Sequence, residues 1–83
     1  MSNATPLQRA VWSNNTNLAE FLIFSGADVN VKTSYNNTLL HDSVSNNQTK
    51  IAKILIVFGL DLEEKNEINQ TPLDMARGFY STA

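Results

Sequence analysis

The sequence predicts an all-α fold, a solenoid of stacked helix-turn-helix units joined by β-hairpin-like loops. Three observations carry that prediction. Shifting the 83-residue chain against itself by 33 positions aligns Thr5 with Thr38 and Thr71, and Leu7 with Leu40 and Leu73. Residues 5–30 against 38–63 then give 10 identities in 26 positions, Gly26 with Gly59 and Asp28 with Asp61 among them. A fixed period of this length marks units that cannot bury their own apolar faces and must stack. Second, Thr-Pro helix starts recur in one register, at Thr5-Pro6 and Thr71-Pro72. Third, apolar residues inside each unit fall at helical spacing.

Each element follows from its residues. Thr5 offers its hydroxyl to an orphan amide, and Pro6 at the first helical position loses no hydrogen bond. Thr5 with Gln8 also has capping-box spacing. Leu7, Ala10 and Val11 form one stripe on a helix ending near Ser13. Asn14 and Asn47 follow as left-handed helix stops, a conformation Asn tolerates. Thr16 and Thr49 are then expected to cap second helices, whose buried stripes are Leu18, Phe21, Leu22 and Ile51, Ile54, Leu55. Gly26 and Gly59 stop those helices. Residues 29–37 and 62–70 are polar, turn-rich and too short for another helix, so each is expected to form a hairpin-like loop.

Thr-Pro-Leu opening a helix, Gly26-Ala27-Asp28-Val29-Asn30 closing the pair, and the 33-residue period together resemble the ankyrin-repeat family. The resemblance divides residues 5–83, one domain, into repeats at 5–30 and 32–63 and a partial repeat at 65–80 with a hairpin and one helix. Residues 1–4 read as a vector-derived remnant or a flexible N-terminus. Asn36 and Asn69 stand where the family has Gly, and Asn is the next best residue for a positive φ. Leu39 replaces the family's Pro, and only the middle unit keeps its His, in Thr38-Leu39-Leu40-His41.

The resemblance implies a non-catalytic protein-interaction module that binds a partner through its concave face and hairpin tips. The family's variable positions fall on Ser34, Tyr35 and Asn37 in the first hairpin and Glu67, Ile68 and Gln70 in the second. On the first helices they fall on Trp12 and Ser13, Ser45 and Asn46, and Gly78 and Phe79. Trp12, Tyr35, Ile68 and Phe79 are large anchors of the kind that dominate interfaces; Trp12 and Phe79 are alternatively fillers between repeats. Phe24, Val57 and Phe58 sit late in the second helices, where the family commonly has polar residues. They either pack beneath the hairpins or mark contact with another subunit or domain. The alternatives to a free-standing binding module are an accessory segment of a larger enzyme or effector and a small homo-oligomer joined through that patch.

Composition removes other classes. Six basic and eight acidic residues give a net charge of −2, without the basic excess of a nucleic-acid or anionic-membrane footprint. Charged residues are 17%; Asn, Ser and Thr supply the polarity, with 25 residues between them. No cysteine is present for disulfides or thiolate chemistry. No apolar run approaches a membrane span and no signal segment opens the chain, so an intracellular setting, cytoplasmic or nuclear, is expected. His41 is the only histidine. The resemblance gives it a structural role at the turn, and one His with scattered carboxylates matches no metal-ligand spacing or catalytic triad. The glycines are dispersed, so no phosphate-cradling loop exists. No cofactor is expected.

Five Asn-x-Thr sequons occur, at Asn3, Asn14, Asn36, Asn47 and Asn69. They fall in two registers of the repeat, each a turn or helix-stop Asn before a capping Thr. The repeat generates them, and glycosylation is not expected. Glu63, Glu64 and Glu67 form an acidic group around Lys65, read as a solvated surface with the capacity to guide a basic partner segment.

Overall fold

The computed structural model describes residues 4–76. Its elements are α1 (Pro6–Trp12), α2 (Thr16–Phe24), a 3-10 turn (Ser34–Asn36), α3 (Leu39–Ser45), α4 (Thr49–Val57) and α5 (Pro72–Ala76). The first helix of each unit packs against its successor, α1 on α3 and α3 on α5, and the second helices α2 and α4 form the other layer.

Capping chemistry sets most of the boundaries. Thr5 accepts from the Gln8 amide while the Gln8 side chain accepts from the Thr5 amide, a closed capping box. Thr38 and His41 repeat it at α3, with imidazole in place of carboxamide. The four long helices end alike. After α1 the Asn15 amide donates to Ala10 O and the Asn14 amide to Val11 O; after α2, Ala27 donates to Leu22 and Gly26 to Ile23. The pairs recur at Gln48–Ser43 and Asn47–Val44, and at Leu60–Leu55 and Gly59–Ile56. These Schellman closures need a left-handed residue, and Asn14, Asn47, Gly26 and Gly59 all have positive φ.

The caps of the second helices differ from expectation. Asn15, not Thr16, caps α2 and accepts from the Leu18 amide. Gln48, not Thr49, occupies the cap of α4 and makes no side-chain cap bond. The reason is the tight turn: the residue after the left-handed Asn already completes the previous helix, so the Thr falls at the first helical position. Gln48 instead sends its side chain inward and donates Nε2 to Val11 O at 2.6 Å, tying two repeats together.

Leu7, Ala10, Val11, Ile51 and Leu55 are buried, as their stripes require, and Leu39 and Leu40 are buried with them, while Leu22 and Ile54 are only partly buried. The stripe of α2 is rotated from expectation. Ala19 and Ile23 are buried, whereas Leu18 and Phe21 are exposed. Repeat-related positions exchange roles: Leu18 is 41% exposed and its equivalent Ile51 0%, while Ile23 is 2% exposed and its equivalent Ile56 41%. One face of each second helix is buried only where a neighbouring repeat lies beside it. Burial here is a property of the stack, not of the single helix.

The loops are hairpin-like as expected, with one antiparallel bridge between Lys32 and Thr38. Thr33 N donates to Asn37 O in the first loop, and Asn66 N to Gln70 O in the second. Asn36 and Asn69 take positive φ, as their turn position demands. Tyr35 does too, at φ 58° and ψ 23°, which the sequence did not foretell.

Candidate functional site

Most of the residues singled out from the resemblance line two neighbouring surfaces. The first lies on α1 and α3. Trp12 closes α1 with its ring exposed, and its Nε1 donates to Asp42 Oδ2 at 3.0 Å. Asp42 Oδ1 lies 3.4 Å from Thr33 Oγ1, and Asp42 O accepts from Ser45 Oγ. Ser13 and Asn46 are exposed beside them as the caps ending α1 and α3.

The second surface is the row of hairpin tips. Tyr35 O accepts from the Glu67 amide at 2.8 Å, and Asn37 Oδ1 accepts from Asn66 Nδ2 at 2.7 Å. Lys32 Nζ and Glu64 Oε2 are 3.2 Å apart across the same seam. Glu64 therefore belongs to an internal ion pair as well as to the acidic group. Ser34, Tyr35, Glu67 and Ile68 project outward, while Asn37 and Gln70 are half-buried. Thr33 joins the two surfaces, since it closes the first hairpin and touches Asp42. Gly78 and Phe79 lie outside the described residues, as do Asn3 and the end of the partial repeat at 65–80.

His41 is wholly buried. Its Nδ1 accepts from the Thr38 amide at 3.0 Å, so Nε2 carries the proton and donates to Gln70 O at 2.8 Å. The local bond is the one expected; the second reaches 29 residues along the chain and fastens α3 to the next hairpin. Among the described residues, no group of three or more His, Cys, Asp or Glu is placed to hold a metal ion. No described helix is long and apolar enough to cross a membrane.

Two residues of these surfaces have no mark in the repeat's variable positions. Asp42 is the polar hub of the first surface. Asn66 clamps the second hairpin, its Oδ1 accepting from the Ile68 and Gln70 amides. The repeat register held the signal for Asn66, because a 33-residue shift places it on Thr33, the residue that closes the first hairpin.

Phe24, Val57 and Phe58 do not pack beneath the hairpins. They lie exposed on the solvent face of the α2–α4 layer, where the Phe24 and Phe58 rings meet edge to face with centroids 5.2 Å apart.

A family model described as ankyrin repeats (3 copies) matches residues 7–82. No curated protein matches the sequence. Among solved structures, the chain is similar to the human ASB11 ankyrin repeat domain, with a TM-score of 0.79 at 26% identity. The likeness covers 88% of this chain and 33% of that one, so the chain spans about a third of its relative's length.

Proposed function

Because this chain belongs to the ankyrin-repeat family, whose repeats are protein-protein interaction modules, we propose that it binds a partner protein without catalysis, through the α1–α3 face and the hairpin tips. The observation that carries the reading is Tyr35. A bulky non-glycine residue at φ 58° costs on the order of 1 kcal/mol, and the folded chain gains little burial from its side chain, which is 63% exposed. The left-handed turn instead aims the ring outward while its carbonyl holds Glu67. Strain with so little packing return supports a contact role for the ring.

Trp12, Ser13, Ser45 and Asn46 on the helices, with Ser34, Tyr35, Asn37, Glu67, Ile68 and Gln70 on the hairpins, form the contact set of this reading. Trp12 and Tyr35 are its anchors. Their backbones are already fixed, and Trp12 is steered by Asp42, so little ordering cost attends binding. An intracellular setting and a protein partner, rather than nucleic acid or a membrane, belong to the same reading. Support for them is the near-balanced charge and the lack of cysteine.

Affinity capture with the wild-type chain, followed by quantitative recovery with variants, tests the reading. Trp12→Ala and Tyr35→Ala each lower recovery of the same partner at least about tenfold, the effect of losing an interface anchor. Unchanged recovery by both folded variants rejects the α1–α3 and hairpin surface.

A further inference from the structure

The solvent face of the α2–α4 layer carries two adjoining depressions. One, of about 160 Å³, is lined by Phe24, Lys53, Ile54, Val57 and Phe58. The other, of about 390 Å³, is bordered by Thr16, Glu20 and Lys50 and shares Lys53 and Ile54 with the first. Sharing a wall, they make one groove between the helices. It is apolar where α2 and α4 end and basic where they begin.

Nothing in the fold requires the apolar end. Phe24 is 65% and Val57 80% exposed, and neither contributes to the core or to the α1–α3 face. Single exposed apolar residues are ordinary, but a contiguous set around a depression marks a binding surface. The edge-to-face pair of Phe24 and Phe58 makes a preformed wall, since each ring fixes the other.

Charge selects the occupant. Two ammonium groups, Lys50 and Lys53, border the groove against one carboxylate, Glu20. The ion pair found among the described residues, Lys32–Glu64, lies on the hairpins, and within the groove the two lysines outnumber the Glu20 carboxylate. Two copies paired through this groove would bring four ammonium groups and only two carboxylates into one interface, an unfavourable balance for an isologous pair. An acidic rim fits. We propose that the α2–α4 groove is a second docking site, which takes a short amphipathic helix seating a bulky apolar side chain on Phe24 and Phe58 and presenting Asp or Glu to Lys50 and Lys53.

The test uses two synthetic helical peptides with the same Leu and Phe stripe, one otherwise rich in Glu and the other in Lys. Each is titrated into the full chain by fluorescence anisotropy. The Glu peptide binds roughly five- to tenfold more tightly at low salt, about the contribution of two exposed ion pairs. That margin shrinks as salt rises. Val57→Asp abolishes saturation, Lys50→Glu with Lys53→Glu inverts the preference, and Trp12→Ala with Tyr35→Ala changes nothing. All these side chains are exposed, and circular dichroism confirms that each variant is folded. Absence of saturation by the Glu peptide, equal binding of both peptides, or a Val57→Asp titration like that of wild type overturns the proposal. Light scattering that finds a dimer dissolved by Val57→Asp also overturns it, and assigns the groove to a second copy.

Discussion

The indole Nε1 of Trp12 donates to the Asp42 carboxylate across 3.0 Å, joining the end of α1 to α3 thirty residues later. Asp42 in turn meets Thr33 at the base of the first hairpin. The largest side chain on the proposed contact face is thus held by a residue of the next repeat and, through it, by the loop between them. A stack therefore does more than bury apolar stripes. It sets side chains from different repeats in fixed relation.

That relation predicts a change in local order without loss of the fold. Trp12 is the only tryptophan, so its emission reports on this face alone. Asp42→Ala frees the indole, and acrylamide quenches it more efficiently than in wild type. The chain stays folded with a melting midpoint lowered by several degrees, because this exposed hydrogen bond contributes about 1 kcal/mol. Unaltered quenching would show that Asp42 does not position the ring.

The exchange of burial between equivalent positions predicts unequal costs for equivalent substitutions. Ile51→Ala empties a site flanked by α2 and costs ~2–5 kcal/mol. Leu18→Ala, at the same place in the first repeat, costs under ~1 kcal/mol because Leu18 is already exposed. Urea denaturation measures both. Equal losses would mean that burial belongs to each helix separately.

His41 predicts coupling between repeats. His41→Ala removes a buried ring and two hydrogen bonds, to Thr38 and to the Gln70 carbonyl. The expected loss is ~2–4 kcal/mol, a large share of the stability of a domain this small. Amide exchange at 66–70 rises in the same variant, since that hairpin loses its tie to α3. A destabilised variant whose second hairpin keeps wild-type exchange relative to the rest would confine the role of His41 to its own turn.

Tyr35 predicts opposite effects on folding and on binding. Asn tolerates the left-handed region better than Tyr, so Tyr35→Asn raises stability by about 0.5–1 kcal/mol. Partner recovery falls in the same variant. A loss of stability would show that the ring supports the fold, and the strain argument for a contact role would fail.

Local signals in the sequence read true where one turn of chain decides the outcome. Thr5 and Gln8, Asn14 and Asn47, and Gly26 and Gly59 all do what their chemistry suggests, because each acts on amides a few residues away. Reading failed where the neighbour was another repeat. Leu18 and Phe21 have the helical spacing of a core stripe, yet no helix lies beside them among the described residues, and they stay exposed. Thr16 and Thr49 look like caps, but Asn15 and Gln48 reach those positions first. On the candidate site, the resemblance marked Trp12 and Tyr35, but not the Asp42 carboxylate that orients one or the left-handed backbone that presents the other. A carboxylate thirty residues from the ring it binds has no signature in local spacing.

The most direct measurement is a hydrogen-exchange footprint of the chain with and without its captured partner. The account predicts added protection at 12–13, 34–37, 45–46 and 67–70, with α2 and α4 unchanged. Protection confined to α2 and α4, leaving Trp12 and the hairpin tips exchanging as in the free chain, would contradict it.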